Sequence, residues 1–100
     1  MSLPTNSSKI ADKLVFNFHS DPGHGWLAVK KSLIRELGLA GTISRFSYMK
    51  GQTAYLEVDC DMGRFFDAFK AKFGIEPKIN ELQSRENTPI RNMDLFWMEA

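Results

Sequence analysis

The sequence predicts an α+β fold in which two amphipathic helices cover one face of a mainly antiparallel sheet of four to five strands. Short runs of alternating apolar and polar residues, two stretches of helical periodicity and turn signals between them give the order β-β-α-β-β-α-β. At 100 residues, 43% of them hydrophobic, the chain can build one core but not two ordinary domains. We therefore predict one domain over residues 13–100, preceded by a polar, flexible N-terminal arm over residues 1–12.

The first two predicted strands flank a sharp turn. Residues 13–18 alternate as a half-buried strand does, and residues 26–30 form a second short apolar strand. The Asp-Pro-Gly-His sequence at 21–24 matches a type II turn, in which proline presets φ at the second position and glycine supplies a positive φ at the third. Because the connection is short, we expect an antiparallel pair.

A helix of about two turns and a hairpin follow. Ser32 is a suitable N-cap, and the helix is expected to end at Gly38. Segments 42–49 and 53–58 flank a Lys-Gly pair, which favours a hairpin. A two-residue loop at that pair predicts two cross-strand contacts: Phe46 with Tyr55, and Tyr48 with Thr53.

The second helix is the most strongly patterned element. Asp59 or Asp61 is its predicted cap and Gly74 its end. Residues 78–82 are predicted as a fifth strand, and the apolar residues 93–98 either fold back or bind a partner. The apolar stripe of this helix comprises Met62, Phe65, Phe66, Phe69 and Phe73. The predicted core comprises Phe16, Phe18, Leu27, Val29, Leu33, Leu37, Leu56, Phe65, Phe66 and Phe69.

The net charge and the cysteine content limit the partners and the cellular compartment that we expect for this protein. The net charge of +1 provides no general attraction to nucleic acid or anionic lipid. The single cysteine excludes an intramolecular disulfide and favours a reducing compartment. No apolar run approaches the roughly 20 residues of a membrane span, and no secretory signal pattern is present. The expectation is a cytoplasmic protein without a membrane partner.

Four blocks of the sequence carry a resemblance that covers roughly its middle half. They are Asp21-Pro22-Gly23-His24-Gly25-Trp26-Leu27 with Val29, Ile43-Ser44 with Ser47-Tyr48, Tyr55-Leu56-Glu57 with Asp59-Cys60-Asp61 and Phe65, and Ile90-Arg91. In these blocks the chain resembles a family of small, uncharacterised proteins encoded largely by bacteriophages, plasmids and other bacterial mobile elements. The resemblance implies a setting in a mobile element rather than an activity.

A metal site is one interpretation of the turn. His19, Asp21 and His24 form a His-x-Asp-x-x-His set of legitimate ligands for zinc-like ions. Completing the site would need a further ligand from residues 59–61. The favoured interpretation is that Asp21 and His24 hydrogen-bond the backbone of the turn, so we expect no metal and no cofactor.

Nucleophilic catalysis would combine Cys60 with His19 or His24. The neighbouring Asp59 and Asp61 oppose the thiolate, and a cysteine between a strand and a helix more often serves packing. The acids around Cys60, including Glu57, are more simply explained by helix capping. We assign no catalytic residue and do not favour an enzyme. The alternative is a metal-dependent or cysteine-based small hydrolase centred on the His19–Trp26 turn.

A nucleic-acid-binding accessory protein is the second alternative function, with Tyr48 or Trp26 as stacking partners. Its basic residues would be Lys30, Lys31, Arg35, Arg45, Lys50, Arg85 and Arg91. These positive charges form no run and are balanced by acids, so nucleic acid is a disfavoured partner.

A protein-binding module is the favoured function. The partner would be a host protein or one encoded by the same element, and self-association into a homodimer is a second form of this binding. Tryptophan, tyrosine and arginine carry much of the binding energy at interfaces. The apolar segment 95–98 belongs either to such an interface or to the core. The predicted binding residues are His19, Asp21, His24, Trp26, Tyr48 and Arg91.

Overall fold

A six-stranded mixed sheet carries the fold. The structure is a computed structural model that describes residues 14–98, and the predicted N-terminal arm over 1–12 lies outside the described residues. In chain order the elements are β1 (Val15–Ser20), β2 (Gly25–Lys30), α1 (Lys31–Glu36), β3 (Tyr48–Lys50), β4 (Thr53–Glu57), α2 (Met62–Phe73), β5 (Lys78–Gln83), a 3-10 turn (Pro89–Asn92) and β6 (Asp94–Leu95).

The strand order across the sheet is β5-β1-β2-β4-β3-β6. Four of the five strand pairings are antiparallel, and β5 lies parallel to β1. The predicted α+β class and mainly antiparallel sheet are confirmed. The predicted count of four to five strands is wrong, because the chain returns after the 3-10 turn and adds β6 to the free side of β3.

One hydrophobic core joins a single face of the sheet to both helices. The Phe16 ring of β1 meets the Phe65 and Phe69 rings of α2 edge to face, with centroids 5.1 and 5.6 Å apart. Of the predicted core, Phe16, Leu27, Val29, Leu56, Phe65 and Phe69 are buried, whereas Phe18, Leu33, Leu37 and Phe66 are partly buried against it. The prediction omitted Trp26, Ile34, Ala54, Phe73, Ile90 and Phe96, which are buried as well.

The helix ends follow the predicted glycines, whereas the predicted N-cap position holds for α2 and not for α1. Gly38 (φ 72°) follows α1, and Gly74 (φ 77°) ends α2 in the left-handed conformation that glycine adopts without strain. Helix α1 begins at Lys31, one residue before the predicted cap Ser32, and no side chain caps it. Asp61 is the N-cap residue of α2, one of the two predicted positions, yet its carboxylate makes no capping hydrogen bond because it accepts hydrogen bonds from Ser44.

Two turn predictions are wrong in detail. Gly23 does not have a positive φ, so the 21–24 turn is not type II. The central hairpin pairs Tyr48 with Tyr55 and Lys50 with Thr53, rather than Tyr48 with Thr53. The reason is that residues 51 and 52 form its loop, with the first of them, a glycine, at φ 59°.

The C-terminal apolar segment divides between core and surface. Phe96 is buried in the core, whereas Leu95 and Trp97 are exposed. The Phe96 N–H donates to the Ser47 carbonyl at 2.9 Å, which fixes the segment beside β3. Within residues 14–98, no helix is long and apolar enough to cross a membrane.

Candidate functional site

The turn between β1 and β2 is organised by one carboxylate. Asp21 Oδ1 accepts the N–H groups of Gly23 and His24, each at 3.0 Å. The Asp21 N–H donates to the His24 carbonyl at 2.9 Å. Short polar side chains commonly stabilise turns in this way, which is the role that the sequence favoured for Asp21. The turn therefore holds its shape without a left-handed glycine.

The same carboxylate binds Arg91 from the 3-10 turn. Arg91 Nη2 and Nε donate to the two oxygens of Asp21, each at 2.8 Å, in a bidentate pair. The Thr88 N–H adds a bond to Oδ2 at 3.1 Å. The side chain of Asp21 is fully buried and that of Arg91 is 31% exposed. The pair therefore ties the β1–β2 turn to residues 88–91, far along the chain.

This ion pair shifts the pKa of both partners. The Arg91 guanidinium, helped by the backbone N–H groups of Thr88, Gly23 and His24, holds the pKa of Asp21 well below its usual range. The hydrogen bond to Asp21 in turn raises the pKa of Arg91. Both groups are therefore charged at any physiological pH, and the pair is a permanent part of the site.

Trp26 is the platform beneath Arg91. The guanidinium carbon lies 5.3 Å from the Trp26 ring centroid, a cation–π arrangement. The Tyr48 ring packs edge to face on the indole at 6.1 Å, and the His24 ring lies at 5.9 Å. Trp26 is only 2% exposed, and its indole Nε1 has no hydrogen-bond partner among the described residues. A buried donor of this kind is uncommon and needs an explanation.

A second buried carboxylate shapes the loop before β3. Asp61 accepts the Ser44 hydroxyl at 2.6 Å, the Ser44 N–H at 3.0 and 3.1 Å, and the Ser47 hydroxyl. Ser47 Oγ also accepts the N–H of Glu57 at 2.9 Å. Asp61 thus fixes both ends of the 44–47 loop and holds Arg45 and Phe46 at its tip.

These elements enclose a cleft of about 270 Å³. Four of the predicted binding residues, His24, Trp26, Tyr48 and Arg91, line it together. The other lining residues are Arg45, Phe46, Glu57 and Leu95. The cleft therefore has an aromatic wall, two guanidinium groups and one nearly buried carboxylate. They are supplied by the β1–β2 turn, the 44–47 loop, strands β2, β3 and β4, and the C-terminal segment.

The two remaining predicted residues have other positions. Asp21 supports Arg91 from within and does not line the cleft. His19 lines a separate depression with Tyr55, whose ring centroid lies 5.9 Å from the imidazole. Desolvation lowers the pKa of His19 and favours its neutral form.

The proposed His19, Asp21 and His24 ligand set does not form a site, because both Asp21 oxygens are directed at Arg91 and backbone N–H groups. A different set lies together, comprising His24, Glu57 and Asp59. Their ligand atoms are all within 4.8 Å of one another. These are the residues among 14–98 that could hold a metal ion.

Cys60 is exposed, which corrects the expectation that it serves packing. Partial desolvation and the nearby carboxylates of Glu57, Asp61 and Asp59 raise the pKa of the Cys60 thiol. A raised pKa reduces the thiolate fraction at neutral pH, the opposite of what activates a nucleophile. The electrostatics around this cysteine agree with the charge argument from sequence.

The candidate nucleic-acid residues are divided among different depressions. Arg45 and Arg91 line the cleft, Lys50 lines a second depression and Lys30 a third. Among the remaining lining residues, sequence reasoning gave no binding role to Phe46, favoured helix capping for Glu57, and left Leu95 open between an interface and the core. Alternation along β4 could have placed Glu57 on the same face as Tyr55, but the strand register that brings it opposite Trp26 cannot be obtained from sequence.

No family model, curated protein or solved structure matches this chain.

Proposed function

We propose that this chain is a protein-binding module, and that the cleft receives a side chain of a host protein or of a protein from the same mobile element. The observation that carries the proposal is the contrast between a rigid, buried base and an exposed rim. Trp26 and Arg91 form the base, and the buried Asp21 holds Arg91 in place from behind. At the rim, Phe46 is 69% exposed and Leu95 is 52% exposed.

The size and charge of the cleft fit a protein side chain. Pockets for small molecules and cofactors usually measure about 300–1,000 Å³, and this cleft, at about 270 Å³, is comparable only with the smallest of them. Arg45 has no ion-pair partner within residues 14–98, whereas the charge of Arg91 is balanced by Asp21. A partner that inserts an apolar side chain beside a carboxylate would cover Phe46 and Leu95 and pair with Arg45.

The test compares two double variants in quantitative capture experiments from host extract. Arg45→Ala with Phe46→Ala truncates the rim at exposed positions, so stability should stay within about 0.5 kcal/mol of wild type. Val15→Ala with Lys50→Ala removes an exposed apolar and an exposed basic side chain outside the cleft. Trp26→Ala is unsuitable, because this residue is buried.

The proposal predicts a specific protein that wild type and the control variant retain and the rim variant loses. The recovered protein, purified, should then bind wild type directly in calorimetry. Identical captured sets for all three proteins would refute the cleft as the binding surface. Light scattering on each variant distinguishes self-association, since a dimer that dissociates only in the rim variant would make a second copy the partner.

A further inference from the structure

We propose that His24, Glu57 and Asp59 form a binding site for a divalent transition-metal ion of the zinc class, with an open coordination position toward the cleft. The three side chains offer one imidazole nitrogen and two carboxylate oxygens within 4.8 Å of one another. This mixed donor set suits zinc, cobalt or similar borderline ions, whereas magnesium prefers oxygen ligands alone.

The backbone fixes the geometry of this cluster. Trp26 pairs with Glu57 across β2 and β4, and the Val58 N–H donates to the Gly25 carbonyl at 2.9 Å. His24 immediately precedes β2, and Asp59 immediately follows Val58, the last residue of the β4 segment that is hydrogen-bonded to β2. Strand register therefore brings the three residues together before any ion binds. This reduces the conformational entropy that the protein would lose on binding a metal ion.

The carboxylates lack a cation among the described residues. Glu57 is nearly buried, yet within residues 14–98 neither Glu57 nor Asp59 forms an ion pair with a lysine or arginine. Instead the Asp59 N–H donates to both oxygens of Glu57, at 2.7 and 3.2 Å. That bond orients the Glu57 carboxylate, as outer hydrogen bonds orient metal ligands. A bound cation would stabilise the neighbouring carboxylates of Glu57, which is buried, and Asp59.

The unpartnered indole of Trp26 is an independent sign of a ligand. Trp26 lines the cleft with His24 and Glu57, and its buried Nε1 donor lacks an acceptor among the described residues. Three protein ligands leave at least one metal position for a water molecule or for an oxygen atom of a bound partner. Such an oxygen in this cleft is an acceptor of the kind that Nε1 lacks. Asp21 balances the charge of Arg91, so the unbalanced guanidinium that lines the cleft with the ligand residues is that of Arg45.

The experiment is a calorimetric titration of the full chain with ZnCl₂ and, separately, CoCl₂, after treatment with a chelator and dialysis. All proteins carry Cys60→Ser, so that the exposed thiol does not contribute a ligand. The ligand variants are His24→Gln and Asp59→Asn, both at exposed positions. The matched controls are His19→Gln and Asp67→Asn, which remove the other histidine and an exposed acid of α2.

We expect one ion per chain, with affinity reduced about tenfold or more by each ligand variant and changed less than about twofold by each control. Cobalt absorption bands should appear in the parent protein and weaken in both ligand variants. Thermal unfolding without metal confirms that each variant is folded. No binding at about 1 mM metal, or equal binding by the parent and His24→Gln, would overturn the site. Because metal alone is the probe, this result is separate from that of the capture experiment.

Discussion

Gly25→Ala should destabilise the domain through one aromatic ring. A β-carbon built at Gly25 overlaps Cζ of Phe18 and lies 3.0 and 3.1 Å from the adjacent Cε atoms. The ring of Phe18 therefore covers the face of the glycine, a packing device that stabilises glycines within sheets. Since Gly25 does not have a positive φ, backbone strain does not contribute to the effect.

We expect a loss of about 1–3 kcal/mol in the free energy of unfolding, the usual cost of overpacking a fitted site. The loss should be specific to the ring. In a Phe18→Leu background the side chain that faces residue 25 is smaller, so the clash should be relieved. Gly25→Ala should then be neutral, or should stabilise the fold by about 0.4–1 kcal/mol because alanine restricts the unfolded chain. The matched control is Gly63→Ala in α2, where an added β-carbon has no atom within 4 Å and should not destabilise.

The assay is urea denaturation followed by far-ultraviolet circular dichroism for the four proteins of the double-mutant cycle and for the control. A coupling energy below about 0.5 kcal/mol between positions 18 and 25 would refute the reasoning, because the clash would then not govern the substitution. A Gly25→Ala variant as stable as wild type would lead to the same conclusion.

Three further predictions concern the core and the titrating groups. Phe69→Ala should cost about 3–5 kcal/mol in urea denaturation, because this side chain is fully buried, and Phe66→Ala should cost clearly less, because Phe66 is only partly buried; equal costs would contradict this packing. The pKa of Asp21 is lower in the folded state than in the unfolded state, where it is about 4. Ionised Asp21 therefore stabilises the fold at pH values above about 4, and this contribution is lost as the pH falls through the lower, folded-state pKa. Asp21→Asn should therefore be less stable at pH 7 and flatten the acid branch of the stability curve, and an unchanged branch would show that the pair with Arg91 is not the cause. Because the pKa of His19 is lower in the folded state, the unfolded state takes up a proton at a higher pH than the folded state does. Stability should therefore fall as the pH drops below about 6.5, and thermal melts of His19→Gln should lack that decline.

The parts of the fold that periodicity encodes were predicted from sequence. Alternation identified β1, a short apolar run after the turn identified β2, and the phenylalanine stripe and Gly74 identified α2 and its end. The parallel pairing of β5 with β1 was not predicted, because strand direction depends on where the chain goes after α2 and not on local pattern. Strand β6 was missed because two residues carry no measurable alternation.

The burial of Trp26 shows a different limit. The sequence assigns Leu27, which faces the helices, to the core and names Trp26 as a candidate binding residue. The structure buries it from the other side through Tyr48 and Arg91, which come from distant parts of the chain. Sequence could identify these residues as candidates but could not show that they contact one another.

The aspartates show why the site itself could not be obtained from composition. Asp59 and Asp61 are two residues apart and were interpreted as alternative caps of the same helix. In the structure, Asp61 is buried and binds Ser44, while Asp59 is exposed and lies beside His24. Asp61 contacts Ser44, 17 residues earlier in the chain, and Asp59 lies beside His24, 35 residues earlier. No local rule therefore distinguishes the two acids. A comparison of Asp59→Asn with Asp61→Asn would reveal the difference directly. Asp61→Asn should lower stability by loosening the 44–47 loop, whereas Asp59→Asn should leave stability unchanged and alter only the binding of cations.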